Sequence, residues 1–261
     1  MSAFSEAALG ALQLLVERDT VLWAIVARSL AVSATACALA CVAGLPLGAW
    51  LGVARFRGRE GLLALLNTWL AVPSVVLGLV VYLLLSRTGP LGFLGWLFSF
   101  QAMVLAQTLL VLPVITALTR QLVDDAERRH GEQLASLGAS AGLRGLLLAW
   151  DERYALLTVL IAAFARAISE VGAVMVVGGN IDGFTRVMTT AIALETSKGD
   201  LPLALALGGV LLAVVLLLNA GIAGLRRWRD RSVAPAVVST LQTAGGRLSA
   251  ALSVGVQGTN R

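Results

Sequence analysis

Charged side chains are scarce in this sequence. Of its 261 residues only 13% are Asp, Glu, Lys or Arg, whereas 58% are hydrophobic, and the mean hydropathy is +0.86. A soluble globular domain carries about 25% charged residues. The composition therefore excludes an ordinary soluble domain and predicts an all-α protein that crosses a membrane several times.

Histidine and cysteine are almost absent as well. His130 is the one histidine, so a histidine-based triad or a zinc cluster cannot form within the chain. Cys37 and Cys41 share a helix face, and their spacing suits neither a disulfide nor a complete metal site. The sequence also lacks G-x-x-x-x-G-K-[ST] and H-E-x-x-H. We therefore expect no enzyme, no bound metal and no ATP held by a P-loop in this chain.

Long apolar runs are what the sequence has instead, and they predict five transmembrane helices. The spans lie at about residues 29–54, 61–86, 101–119, 154–177 and 201–225. The first run, of about 26 residues, rises ~39 Å as a helix, enough for a ~30 Å hydrocarbon core. Prolines fall inside the first three spans, and we expect Pro46 to kink the first. A sixth span at residues 7–16 is the alternative, but that run is too short.

The basic residues predict how the spans are oriented. Arg55, Arg57 and Arg59, the polar segment 121–153 and residues 226–231 fall on one face of a five-span arrangement. Loops rich in arginine stay in the cytoplasm, so this face is cytoplasmic. The amino terminus then lies outside and the carboxy terminus inside. Residues 1–230 form the transmembrane domain, and we expect 231–261 to be a mobile cytoplasmic tail.

The polar segment 121–153 is the one long polar insertion between apolar runs. Leu134, Leu137 and Ala141 recur at helical spacing, Gly138 interrupts the pattern, and further leucines resume it. We predict a helix, a glycine break and a second helix between the third and fourth spans. Such a segment is typical of a docking surface on one side of a membrane.

Within this segment, residues 132–140 read E-Q-L-A-S-L-G-A-S, which resembles the EAA loop of binding-protein-dependent ABC importer permeases. In that family an acidic residue lies six positions before a glycine, in a short cytoplasmic helix that docks on the ATPase subunit. The residues that the resemblance assigns to ATPase coupling are Glu132, Leu137, Gly138, Ala139 and Ser140. The two alanines of the motif are replaced by Gln133 and Leu134, and the Leu-Pro pair downstream is absent. The alternative is an ordinary loop between spans.

The resemblance covers most of the chain. Residues 72–118 and 164–208 resemble the permeases of tungstate ABC transporters, whereas molybdate permeases share only the arginine and Glu-x-Gly-Ala core of the second stretch. The resemblance implies a type I ABC importer permease with a cytoplasmic coupling helix, in a bacterial or archaeal cytoplasmic membrane. It also implies a homodimer, two cytoplasmic ATPase subunits that bind ATP and Mg²⁺, and an extracytoplasmic oxyanion-binding protein.

The function implied is uptake of a tetrahedral oxyanion, with tungstate first and molybdate or sulfate as alternatives. A stand-alone secondary transporter or channel is the other class. Secondary transporters often contain two related halves, and this sequence shows no internal repeat. That class also leaves the polar segment without a purpose, so the permease reading is preferred.

The fourth span carries two charges, Arg166 and Glu170, one helical turn apart. Ions at membrane depth are costly, so we expect them to face the bundle interior and to pair. Two readings stay open, a structural pair and a gate in the substrate path.

Paired glycines at 178 and 179 should end the fourth span. The candidate path residues beyond it are Asn180, Thr185, Arg186, Thr189 and Thr190. Hydroxyl, amide and guanidinium donors suit a tetrahedral dianion at the outer mouth. The alternative is a re-entrant helix whose threonines bond to their own backbone.

Overall fold

The computed structural model describes residues 3–225 and 227. Within them every regular element is an α-helix apart from a 3-10 turn at Gly92–Leu94, which confirms the all-α class. The helices are α1 (Ala3–Val16), α2 (Thr20–Val53), α3 (Arg59–Leu70), α4 (Ser74–Leu85), α5 (Phe100–Ser136), α6 (Ala141–Asp151), α7 (Arg153–Ile168), α8 (Gly172–Gly178), α9 (Met188–Lys198) and α10 (Leu201–Leu225). The predicted tail, residues 231–261, lies outside the described residues.

Three helices in the described part of the chain are long and apolar enough to cross a bilayer by themselves. They are α2, α5 and α10, with 34, 37 and 25 residues. Two further stretches qualify only as bent pairs: α3 with α4, at 99°, and α7 with α8, at 55°. All five predicted runs are thus helical, but the second and fourth are broken rather than continuous. Counting each pair as one span would give five.

The prolines act differently in different helices. Pro73 separates α3 from α4, because a proline disfavours helical backbone in the residue before it and cannot donate its own backbone hydrogen bond. Pro46 and Pro113, in contrast, lie inside α2 and α5, which continue through them. Of these three prolines, only Pro73 marks a helix boundary.

Two helix bounds differ from the sequence prediction. α2 begins at Thr20 instead of near residue 29, and the carboxylate of Asp19 accepts a hydrogen bond from the Leu22 amide at its start, 2.8 Å long. α5 continues through the start of the polar segment to Ser136. The separate helix predicted there is wrong, because it is the end of the third span's own helix.

A row of glycines holds α2 against α5. An added Cβ on Gly48 would lie 2.6 Å from the carbonyl oxygen of Thr116, and one on Gly52 would lie 2.8 Å from Cβ of Val123. An added Cβ on Gly44 would lie 3.1 Å from Cγ2 of Ile115. Small residues four apart let two helix backbones approach closely in a membrane protein. The two helices run in the same direction and form the centre of the bundle.

Polar contacts mark the two ends of this helix pair. At one end, near the start of α2, Arg28 reaches the carbonyl oxygen of Gly183 at 2.7 Å. At the other, Arg55 pairs with Asp124 at 3.1 Å. We refer to these as the Arg28 end and the Asp124 end. The candidate path residues beyond α8 lie at the former, and the polar segment lies at the latter.

Candidate functional site

The polar segment forms an elbow, residues 132–151, in which α5 ends and α6 begins. Gly138 has φ of +81°, and its amide donates to the carbonyl of Ala135 at 2.9 Å. Ser140 then caps α6, because its Oγ accepts from the amide of Leu143 at 3.4 Å. The predicted glycine break and second helix are confirmed. An added Cβ on Gly138 would meet nothing within 4 Å, so within the chain its positive φ, not crowding, favours glycine.

One face of α6 packs on the bundle and the other is bare. On the inner face Leu148 is buried, and Gly145 lies so close to α2 that an added Cβ would be 2.9 Å from the carbonyl oxygen of Ala49. On the outer face Leu146 and Trp150 are 67% and 71% exposed. Leu143 and Leu147 are also exposed. A contiguous exposed apolar face of this kind marks a contact surface.

The five residues assigned to coupling lie at the tip of the elbow. Leu137 is 82% exposed, and Glu132, Gly138 and Ser140 are exposed as well, with Ala139 half-buried. Four of the five are therefore accessible to a partner, and they adjoin α6 in the chain. Their role in coupling stays a prediction.

The elbow also carries the letters G-x-S-x-G, at residues 138–142. In α/β-hydrolases this motif lies on a turn from a strand to a helix and its serine is paired with a histidine. Here Ser140 follows a helix and serves as the cap of the next one. The motif lacks the structural setting in which it has a catalytic meaning.

A cluster of charges fixes the part of α5 that precedes the elbow to the bundle. Asp124 is only 7% exposed, and its carboxylate pairs with Arg55 at 3.1 Å, with Arg128 at 3.0 Å and with Arg59 at 3.6 Å. Burial raises the pKa of this carboxyl, but the hydrogen bonds and charges of Arg55 and Arg128 outweigh burial and hold the pKa below its ordinary value. Asp124 is therefore ionised at neutral pH and joins α5 to the turn between α2 and α3.

Two further ion pairs hold α6 to α5. Arg144 pairs with Glu127 at 3.1 Å and donates to the carbonyl of Ala139 at 3.2 Å. Arg129 pairs with Glu152 at 2.7 Å. The first pair spans the glycine break directly, so it sets the angle between the two helices.

The fourth span separates its two charges. α7 ends at Ile168, so Arg166 and Glu170 do not stand one turn apart on a continuous helix. Arg166 is exposed, and among the described residues no ion pair joins it to Glu170. Glu170 instead accepts from the amide of Ala173 at 3.2 Å, at the start of α8. The predicted pairing is wrong, because the break in the helix turns the carboxylate towards the next helix.

The threonines of the polar loop at the Arg28 end, residues 178–190, are engaged with backbone. Thr185 donates to the carbonyl of Gly178 at 2.5 Å and accepts from the amide of Ile181 at 2.9 Å. Thr189 donates to the carbonyl of Glu170 at 2.7 Å, and Thr190 donates to that of Val187 at 3.1 Å. The alternative reading of backbone-bonded threonines fits this conformation. The predicted end of the fourth span at the glycine pair is confirmed, since Gly179 caps α8 with φ of +69°.

Two polar side chains in this loop each have one buried atom without a hydrogen-bond partner among the described residues. Arg186 pairs with Asp182 at 3.1 Å and with Glu195 at 3.7 Å, yet its Nε is buried without a partner in the described chain. The side-chain amide of Asn180 donates to the carbonyl of Thr190 at 3.4 Å, and its Oδ1 is likewise unpartnered among the described residues. These atoms are the polar capacity that the loop could still offer an anion or a water molecule.

Sequence reasoning missed the residues that hold this loop to α2. Arg28 donates to the carbonyls of Gly183, at 2.7 Å, and Arg186, at 3.0 Å. Ser29 accepts from the amide of Met188 at 2.7 Å, at the start of α9. An arginine followed by a serine at the edge of an apolar run was the available signal. The uncharged run begins at Ser29, so hydropathy places Arg28 just before the first span and gives it no further role.

Comparison with known proteins identifies relatives over nearly the whole chain, although no protein-family profile matches. The chain is 42% identical to the tungstate uptake system permease protein of Peptoclostridium acidaminophilum, over 87% of this chain and 99% of that one. It is 43% identical to a probable anion ABC transporter permease protein of Haloferax volcanii, over 82% and 93%. A probable molybdenum ABC transporter permease of the same organism is 33% identical over 72% of each chain.

These relatives are transport permeases, not enzymes, and the apolar helices described above agree with a multi-pass membrane protein. Identity and coverage of this extent establish kinship. The chain belongs to the ABC transporter permease family, in the group of the tungstate uptake permeases.

Proposed function

We propose that this chain is the membrane-spanning subunit of an ATP-driven importer of a tetrahedral oxyanion, and that the oxyanion is tungstate. The observation that carries the proposal is the 42% identity to a tungstate uptake permease across 99% of that protein. Molybdate is the second candidate, because a molybdenum permease matches over 72% of this chain, and sulfate is a third tetrahedral dianion of the same class. A stand-alone secondary transporter is set aside, since it gives the elbow no role.

The proposed topology is the five-span type I arrangement, with each bent pair counted as one span. The Asp124 end carries Arg55, Arg59, Arg128 and Arg144, and this concentration of arginine supports a cytoplasmic location. The Arg28 end then faces outward, with the amino terminus on that side and the carboxy terminus in the cytoplasm of a bacterium or archaeon.

The elbow is the proposed docking site of the ATPase subunit, which would hold ATP and Mg²⁺. Its exposed leucines and Trp150 supply an apolar surface, and the Glu127–Arg144 pair keeps that surface at a fixed angle to α5. A movement of the ATPase subunits would therefore be passed to α5 and, through Asp124 and Gly145, to α2. This is the proposed route to alternating access.

The translocation path is proposed to lie on the two-fold axis of a homodimer. Arg166 is exposed, so in a dimer it can face the path and meet the dianion. The extracytoplasmic binding protein would deliver the oxyanion to the polar loop at the Arg28 end. Because the loop's threonines are bonded to backbone, donation from them would require the loop to open, which suits a site that must also release its substrate.

Uptake into proteoliposomes that contain permease, ATPase and binding protein tests the proposal. We expect ATP-dependent accumulation of labelled tungstate that excess unlabelled tungstate suppresses more strongly than equal molybdate or sulfate. Uptake without ATP would contradict the importer class. If unlabelled molybdate suppressed the uptake of labelled tungstate more strongly than unlabelled tungstate does, molybdate would be the favoured substrate.

The substitution Glu170→Gln distinguishes two hypotheses for Glu170, a gate in the substrate path and a structural role. Glutamine keeps an acceptor for the Ala173 amide while the charge is removed, whereas Glu170→Ala removes both. If Glu170 is a gate, Glu170→Gln leaves the Tm of the complex unchanged and lowers oxyanion uptake per ATP hydrolysed. If Glu170 is structural, only Glu170→Ala is affected, and it lowers the Tm.

A further inference from the structure

A groove at the Asp124 end of the bundle shares Leu146 and Trp150 with the bare face of α6, and its other lining residues have no role in the transport cycle described above. It lies between α2, α6 and α7 and has a volume of about 520 Å³, within the roughly 300–1,000 Å³ of small-molecule sites. Leu45, Ala49, Leu157 and Leu160 are among its walls. Its walls are therefore almost wholly apolar.

The mouth of the groove has a different chemistry. Arg153 is its one charged lining residue among those the structure describes. Its guanidinium carbon lies 5.7 Å from the ring centre of Trp150 and 4.7 Å from that of Tyr154. Tryptophan, tyrosine and arginine together are typical of the headgroup level of a bilayer. Leu160, seven residues along α7, is ~10 Å further into the apolar region.

The acidic residues next to Arg153 do not neutralise this mouth. Glu152 pairs with Arg129 at 2.7 Å. Asp151 lines a separate, smaller groove with His130, between α5 and α6. The mouth is therefore positively charged while the interior is apolar.

We propose that this groove binds one anionic phospholipid, with an acyl chain between α2 and α7 and the phosphate at Arg153. Charge complementarity selects the headgroup, because basic pockets between helices on the cytoplasmic side attract acidic lipids. Leu146 and Trp150 belong both to the groove and to the bare face of α6. The lipid therefore lies beside the elbow and packs against α6. This inference rests on the proposed orientation, with the Asp124 end in the cytoplasm, and it holds whichever oxyanion is carried.

Lipid retention by the purified complex of permease and ATPase tests the proposal. The complex is exchanged into detergent with either phosphatidylglycerol or phosphatidylcholine, and bound lipid is counted by native mass spectrometry. We expect one phosphatidylglycerol per permease chain and several-fold weaker retention of phosphatidylcholine.

Two variants separate the headgroup from the acyl chain. Arg153→Gln should weaken phosphatidylglycerol binding about five-fold, as expected for the loss of one interfacial cation, and should leave phosphatidylcholine unchanged. Leu157→Trp fills the groove and should lower retention of both lipids. The matched controls are Arg57→Gln, another exposed arginine, and Leu212→Trp, an exposed leucine on α10; both should retain lipid like the parent.

Equal retention of the two lipids by the parent would overturn the proposal. So would an Arg153→Gln complex that keeps phosphatidylglycerol at the parental affinity. If a protein chain fills the groove instead, Leu157→Trp would lower recovery of the complex without changing lipid retention, and the lipid would be excluded.

Discussion

At the residue scale, charge placement in this chain follows from which partner each side chain can reach. Asp124 meets three arginines from two segments, while Asp125, next to it, is exposed. Helical geometry points successive residues in different directions, so neighbours in sequence have unrelated surroundings. Two aspartates that are neighbours in sequence therefore contribute very differently to the stability of the fold.

Asp124→Asn should destabilise the purified chain by about 1–3 kcal/mol, because the largely buried guanidinium of Arg59 loses a charged partner. Asp125→Asn is the matched control and should change stability little. Thermal unfolding in detergent measures both. Equal Tm values for the two variants would remove Asp124 as a structural centre.

The same substitution has a pH signature. Folding lowers the pKa of Asp124 from its ordinary value of 3.8. The contribution of its carboxylate to the free energy of unfolding is therefore complete above the unfolded pKa, and it is lost as the pH falls through the folded pKa. The Tm difference between the parent and Asp124→Asn should therefore stay constant from pH 7 to about pH 4 and shrink below it. A difference that instead shrinks as pH rises would contradict the assigned direction.

Gly138 offers a second test at this scale. Its φ of +81° suits glycine and is tolerated by asparagine but strained for a β-branched residue. We expect Gly138→Val to reduce co-purification of the ATPase and Gly138→Asn to retain most of it. Loss with both variants would mean that the partner needs a bare backbone at this point.

At the element scale, the structure depends on helices that pass very close to one another. α2 meets α5 through Gly48 and Gly52, and α6 meets α2 through Gly145. Hydropathy located these helices because it depends on composition alone. Which glycines lie in contacts could not be predicted, since Gly208 and Gly48 both lie in apolar runs, yet an added Cβ on Gly208 would meet nothing within 4 Å.

Gly48→Ala should therefore destabilise the chain by about 1–3 kcal/mol, because the added methyl group meets backbone that must move. Gly61→Ala is the control, since its Cβ would meet nothing within 4 Å, and helix propensity should make it neutral or slightly stabilising. Urea or thermal unfolding compares the two. A Gly48→Ala chain as stable as Gly61→Ala would contradict the close packing.

At the scale of the whole molecule, the bundle exposes apolar surface on α4 as well as on α10. Leu79 on α4 is 50% exposed and Leu212 on α10 is 60% exposed. Lipid can cover either surface, and so can a second copy of the chain. We expect the second to fourth spans to line the axis of the proposed homodimer, which would place α4 near that axis and α10 away from it.

Cysteine cross-linking distinguishes these two surfaces. In a chain with Cys37 and Cys41 replaced by alanine, Leu79→Cys should give a covalent dimer with a short bifunctional maleimide in membranes. Leu212→Cys should remain monomeric on denaturing gels. The reverse pattern would place α10 at the interface and overturn the proposed axis.

The sequence by itself determined the class, the approximate helices, the break at Gly138 and the kinship. Apolar length, helical periodicity and a glycine's freedom in φ are properties of short stretches, so they need no knowledge of distant residues. Signals of this kind are strong in a membrane protein because lipid requires every spanning segment to satisfy its own backbone.

Tertiary structure alone decided what the polar groups do. Arg28 and Ser29 form hydrogen bonds with a segment more than 150 positions away. Glu170 accepts a hydrogen bond at the start of α8 instead of pairing with Arg166. Pro73 ends a helix while Pro46 does not. Each outcome depends on which carbonyl, amide or neighbouring helix comes within reach, because a buried polar group must find a partner in space. Spacing along the chain does not contain that information.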